Sequence, residues 1–188
     1  MDLYEVIHAR RSVRVFSPRP VEREKLDRIF SAAAEAPSSM NTQPWRFHVA
    51  MGKARETVGQ TMAQSTLHLR EYIGIVPQEK PDSAERFYAD LGQAPLVVAV
   101  SAPVLAEDFD KLNVYLAVGC AMENMLLAAT AEDLACCSLT FSFWVRDDLA
   151  AAFSLPDDRE IVALVLLGYA DEKPTAPPHD LDVVTYHE

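Results

Sequence analysis

The chain has 188 residues, with 17 basic and 28 acidic side chains and a formal net charge of −11; that length fits one domain and buries about two thirds of the unfolded surface. Apolar residues make up 49% and charged residues 24%, which excludes a disordered or fibrous chain. A pI near 4.8 argues against a general binder of nucleic acid or anionic membrane, so any anionic ligand has to be captured by a local basic cluster.

Leu3, Val6 and Ile7 fit a short helix led by Asp2 as N-cap, and this charged amino terminus lacks the apolar core of a secretory signal. The basic segment Arg10 to Phe16 follows, and Ser17, Pro18 and Pro20 then start a connector. Glu22 to Ala36 reads as an amphipathic helix with Leu26, Ile29, Phe30 and Ala33 on one face, stopping before Pro37. Arg46 to Ala50 reads as a strand, Lys53 to Tyr72 as a helix, and residues 73–93 as a polar, proline-containing excursion or lid. Two apolar runs, Ala94 to Val100 and Ile161 to Leu167 closed by Gly168, have the content of buried strands, and Leu112 to Leu134 that of a buried helix. From Asp171 onward, Pro174, Pro177 and Pro178 predict an extended tail. Strands separated by helices predict an α+β fold or three-layer α/β/α sandwich, with residues 1–188 forming one domain. No run of about 18 apolar residues occurs. Cys120, Cys136 and Cys137 read as small buried apolar side chains, not as disulfides or metal ligands, so a cytoplasmic protein in a reducing compartment is expected.

Two segments carry chemistry. Arg10, Arg11 and Arg14, with Ser12 between them, place three guanidiniums within five residues of an acidic protein. Arginine forks and a hydroxyl suit a phosphate monoester, and a solvated basic knot paired with carboxylates is the alternative. The second segment is APSSMNTQPWRF, where Ser38, Ser39, Asn41, Thr42 and Gln43 lie between Pro37 and Pro44. Rigid donors and acceptors of this kind suit a flat heteroaromatic ligand; a plain polar loop anchored by Trp45 is the alternative. His8 and His48 lack an accompanying serine or cysteine nucleophile pattern, which argues against a hydrolase triad. Neither a P-loop nor a G-x-G-x-x-G fingerprint is present.

RRSVRVF and, about 25 residues later, APSSMNTQPWRF together resemble the nitroreductase family of flavin-dependent oxidoreductases. VGCAMENMLLAA, Val118 to Ala129, is similar to that family's central dimer helix, and IVALVLLGYA, Ile161 to Ala170, to its strand ending in Gly-Tyr. The resemblance implies an interlocked α+β homodimer with FMN at the subunit interface and no partnership with nucleic acid or membrane. By position, Arg10, Arg11, Ser12 and Arg14 would face the FMN of their own subunit, Arg10 and Ser12 near its phosphate and ribityl chain and Arg14 near the pyrimidine edge. Pro37, Ser38, Ser39, Asn41 and Gln43 would come from the partner subunit.

The resemblance further implies an enzyme that transfers hydride from NADH or NADPH through flavin N5 to a flat electron-poor acceptor such as a nitroaromatic or quinone. A flavin-sequestering protein, or a relative acting on flavin, an enone or a halogenated aromatic, is the alternative. Since the flavin carries the redox chemistry, no catalytic side chain is expected. Where many members have a glycine-rich loop near N5, this chain has CCSLTFSF, with Ser138, Leu139 and Thr140 as positional candidates. Where the family usually supplies a C-terminal cation to the phosphate, it offers Lys173 or His179. Residues 73–93, with Tyr72, Phe87 and Tyr88, would set acceptor choice.

Overall fold

A computed structural model describes residues 2–73, 81–176, 178 and 182–187, the side chains of residues 70–73 and 81–83 excepted. In chain order the elements are α1 (Leu3–Ala9), β1 (Phe16–Ser17), α2 (Arg23–Ala34), β2 (Arg46–Met51), α3 (Gly52–Gln64), α4 (Thr66–Ile73), α5 (Pro81–Asp90), β3 (Leu96–Pro103), α6 (Asp108–Ala131), β4 (Ala135–Leu139), α7 (Arg146–Ala152) and β5 (Arg159–Ala170). The sequence REIVALVLLGYA makes β5 the organising strand, because leucines and β-branched residues suit a ribbon covered on both faces. It pairs antiparallel with β3, β4 and β1, and β2 continues the sheet beyond β3.

The two strand faces sort the core into layers. Val98, Val100, Val165 and Leu167 lie against Leu26, Ile29 and Ala33 of α2 and Val118, Ala121 and Met125 of α6. Their neighbours Val97, Ala99, Leu164 and Leu166 lie against Val58 and Met62 of α3, Phe87 of α5 and Leu149 of α7. Helices thus cover both sides of the sheet, giving the expected three-layer sandwich. One slip interrupts the alternation: Val100 faces Ala163, but Ser101 faces Ile161. That bulge turns Ile161 to the same side as Leu164 and Leu166.

Local chemistry moves several predicted boundaries. The helix expected over Lys53 to Tyr72 is two helices, broken at Ser65, whose buried hydroxyl donates to the Met62 carbonyl at 2.7 Å while Thr66 donates to that of Ala63 at 2.6 Å. Such back-bonding competes with the helical ladder. Within the expected excursion, residues 81–90 are helical and Leu91–Gln93 form a tight 3-10 turn; residues 74–80 lie outside the described set. The stretch expected as a loop after the central helix begins as strand β4, held by its pairing with β5. Cys136 and Cys137 are buried as expected, and burial pushes the Cys136 thiol up to about 12, whereas Cys120 is exposed on α6. That helix has the length and apolarity of a membrane span, with a mean hydropathy of 1.4. Its inward face, however, fills the core beneath α2.

Gly92 shows how the 3-10 turn fixes the basic segment. Its φ is +60°, and a Cβ there would sit 2.0 Å from the Arg14 carbonyl oxygen. We expect Gly92→Ala to cost about 2–4 kcal/mol, combining a left-handed backbone with a main-chain clash. Urea unfolding checks this, and an unchanged midpoint would show that the turn and the Arg14 backbone are not locked together.

Candidate functional site

The basic segment is displayed by its backbone. A capping box starts α1, with Glu5 N–H donating to the Asp2 carboxylate at 2.9 Å and Asp2 N–H to that of Glu5 at 2.8 Å. The helix ends at Ala9, and the chain then runs along the sheet. Val13 N–H donates to the Cys136 carbonyl at 3.0 Å, Asp171 N–H donates to that of Val15 at 2.9 Å, and Phe16 pairs with Ala170. The Glu172 carboxylate accepts from the N–H groups of Arg14 and, at 3.1 Å, Val15. Val13 and Phe16 are buried by this stitching.

Arg10, Arg11, Ser12 and Arg14 consequently line one groove of about 720 Å³, closed along one side by Pro174, Thr175 and Ala176 of the tail. Arg10 Nε lies 3.6 Å from Glu123, and the Arg11 guanidinium donates to the carbonyls of His8 and Arg10 at 2.7 and 2.6 Å. Exposed pairs of this kind stabilise little, so the groove retains cationic donors for an anion. His179 lies outside the described residues.

The polar loop between α2 and β2 is built differently. Ser38 Oγ accepts from Gln43 N–H at 3.0 Å, and Met40, Asn41 and Gln43 all have positive φ, at 49°, 56° and 45°. Three left-handed non-glycine residues in so short a span store strain that the surroundings must hold. Trp45, only 4% exposed, anchors the loop in the core, while Pro37, Ser39, Asn41 and Gln43 remain exposed. The loop residues do not line the arginine groove of their own chain.

What holds the loop is a part-buried polar network at the bulge, centred on the buried Ser101. Arg159 Nη2 donates to the carbonyls of Pro44 and Ser101, each at 2.7 Å, and its Nε donates to Ser101 Oγ at 2.9 Å. His48 Nε2 lies 2.9 Å from the same hydroxyl. Because the Arg159 Nε–H can only donate, the Ser101 hydroxyl is free to donate to a neutral His48. Burial, reinforced by Arg159 and Arg46, holds the His48 pKa below its ordinary 6.5. Sequence reasoning weighed His48 only as a triad histidine and missed Arg159; the signal was Ser101, the polar residue that follows the apolar run Ala94 to Val100.

Ser138 and Leu139 lie within β4, opposite Val165 and Leu164, with Thr140 just beyond. Ser138 and Thr140 are exposed, whereas the Leu139 side chain is buried. A bridge from Ser12 to Cys136 sets this strand beside the basic segment. An aromatic wall follows: Phe143 and Trp144 are exposed, the His68 ring stacks on Trp144 at 4.7 Å, and Tyr88 meets Phe141 at 4.8 Å. Phe87 and Tyr88 of the expected lid therefore face the protein; the Tyr72 side chain lies outside the described residues.

A family model described as "Nitroreductase family" matches residues 7–169. The chain belongs to the nitroreductase family. Among relatives of this nitroreductase-family chain, a nitrobenzene nitroreductase of Ectopseudomonas oleovorans is 31% identical, with 89% of this chain and 86% of the relative covered. Nitroreductase NfnB of Mycolicibacterium smegmatis is 28% identical, with 89% and 82% covered. The solved structure of an FMN- and NADPH-dependent nitroreductase NfnB from a Sphigopyxis strain superposes with a TM-score of 0.83 at 23% identity, covering 100% of both chains, and so supports the fold.

The histidine supplies a pH test. The unfolded chain takes up a proton at His48 below about pH 6.5 while the native state resists, so stability falls as pH drops from about 6.5 toward the lower native pKa. We expect His48→Gln to flatten that part of the stability curve, measured as urea midpoints from pH 7.5 down to about 5.5. A parallel curve for the variant would contradict the network.

Proposed function

We propose that this nitroreductase-family enzyme binds FMN in the groove of Arg10, Arg11, Ser12 and Arg14, takes reducing equivalents from NAD(P)H and passes them to a flat electron-poor acceptor such as a nitroaromatic or quinone. The observation that carries the reading is the convergence of these donors on one groove of about 720 Å³ in an acidic chain. Guanidinium forks and a serine hydroxyl match the donor demand of a phosphate monoester, so the residues fit the group. Bound FMN supplies the two-electron chemistry. Arg10 and Ser12 hold the phosphate and ribityl end, and Arg14 brings a positive charge to the pyrimidine edge, where it favours the reduced form. Ser138 and Leu139, on the strand bridged to Ser12, and Thr140 just beyond it contribute hydroxyls or main chain to the same ligand.

The loop groups of Pro37, Ser38, Ser39, Asn41 and Gln43 serve the groove of a second copy. Supporting this homodimer, α6 exposes Phe109, Leu112 and Leu116 at helical spacing, continued by Gly119 and Cys120, and α1 exposes Leu3, Tyr4 and Ile7 beside it. An uncovered apolar stripe of that kind fits a partner surface. Without a dinucleotide-binding fingerprint, NAD(P)H and the acceptor use the open site in turn, and the protein works in the cytoplasm.

Two results check the reading. Anaerobic NADH or NADPH should bleach the yellow protein, and a quinone should restore the absorbance; flavin that binds but never bleaches would instead mean sequestration. Leu116→Glu should shift sedimentation to the monomer and release FMN, since each site needs two chains. A monomer that keeps its flavin would overturn the shared site.

A further inference from the structure

The exit of the polar loop is clamped at three consecutive carbonyls by two guanidiniums. Arg46 Nη1 donates to the Gln43 carbonyl at 3.0 Å and to that of Trp45 at 2.6 Å, and Arg159 Nη2 takes the Pro44 carbonyl between them at 2.7 Å. Pro44 and Trp45 are buried, and Gln43, which precedes the proline, is held at a φ of 45°. A residue before proline ordinarily takes an extended backbone, and a left-handed non-glycine residue persists only where its surroundings over-determine it. The two clamps are anchored differently. Arg46 is exposed and bonds to its own neighbours in the chain, whereas Arg159 starts β5 and is fixed to β3 by the carbonyl and hydroxyl of Ser101. Arg159 therefore ties the loop to two strands other than the one the loop leads into.

His48 completes that anchor. The charged groups acting on it are two cations, Arg159 of β5 and Arg46 of its own strand; its uncharged neighbours are Ser101 of β3 and the Phe153 ring, 6.3 Å away after α7. Asp158 acts on Arg159 instead. A neutral imidazole accepts the Ser101 hydroxyl proton and leaves that oxygen to Arg159 Nε. An imidazolium has donors only, so it would compete with Arg159 for the same oxygen and add a third cation to the cluster.

We propose that Arg159 is a positioning residue for the flavin, setting through the Pro44 carbonyl the conformation in which this loop meets the ring in the second copy's groove, and that protonation of His48 loosens it. The proposal deepens the flavin reading and rests on it for the ligand and for the second copy. The loop's rigid donors and acceptors suit the flat ring, while the arginine groove suits the phosphate. Loosening the loop consequently weakens FMN and riboflavin alike.

Flavin titrations of Arg159→Gln, Arg159→Lys and Ser101→Ala test this, with sedimentation confirming that each variant remains a dimer. Arg159→Gln should bind both FMN and riboflavin about tenfold more weakly, the loss of one charge-assisted contact, with the ratio of the two affinities unchanged. Lysine should recover part of the loss, and Ser101→Ala, which removes one anchor of Arg159, should lose less than Arg159→Gln. Riboflavin also serves for the pH profile, because the FMN phosphate itself titrates near about pH 6. Its affinity for the parent should fall several-fold as pH drops from about 7.5 to about 5, below the ordinary histidine value, and that of His48→Gln should stay flat. Unchanged affinities in Arg159→Gln, a loss confined to FMN, or a lysine variant no better than glutamine would overturn the positioning role. A pH profile shared by His48→Gln would overturn the release by acid. Should Arg159→Gln fail to assemble, Ser101→Ala decides by the same ratio. A parent that binds neither flavin overturns the flavin reading itself, whereas a parent that binds both no better than Arg159→Gln overturns this role alone.

Discussion

Every functional feature depends on how the five residues after Ser12 are held to the sheet. Val13 is bonded to β4, Phe16 pairs with β5, and the amides of Arg14 and Val15 are taken by Glu172 from the chain just beyond that strand. With the main chain committed and Val13 and Phe16 buried, the Ser12 and Arg14 side chains are left to line the groove they share with Arg10 and Arg11. Like charges a few ångströms apart in water repel by about 1 kcal/mol per pair. The fold tolerates that cost because the stitching belongs to the core, and a bound dianion would turn the repulsion into attraction.

A second constraint, at the bulge between Val100 and Ser101, does for the polar loop what β4 and β5 do for the basic segment. The slip places Ser101 and Arg159 where their polar atoms meet inside the sheet sandwich, and Arg159 reaches out to the Pro44 carbonyl. A strained loop is thereby fastened at its end to the sheet. Its exposed residues line no part of their own chain's groove; in the proposed dimer they serve the groove of the second copy.

The layers were legible because they follow from periodicity and composition. The apolar runs around Val98 and Val165 could only be strands covered on both sides, and Leu26, Ile29 and Ala33 could only be the buried stripe of a helix. β4 was not legible, since Ala-Cys-Cys-Ser-Leu carries no β-branched residue and owes its strand to pairing with β5. The break at Ser65 came from a hydroxyl competing for a carbonyl, which no apolar pattern records. In the site, the clustered arginines and polar loop were visible as local motifs. Glu172 and Arg159 were not, because Glu172 acts on Val15, 157 positions away, and Arg159 on Ser101 and Pro44, 58 and 115 positions away.

The phosphate-reading role of the arginine groove is the central claim, and the comparison of FMN with riboflavin tests it most directly. The flavin-free protein should be titrated with each while flavin fluorescence is followed. Since riboflavin differs by the phosphate alone, the groove predicts that FMN binds about a hundredfold more tightly or better, the contribution of two charge-assisted contacts. Equal affinities would mean that Arg10, Arg11, Ser12 and Arg14 do not read the phosphate, and the account of the site would fall with them.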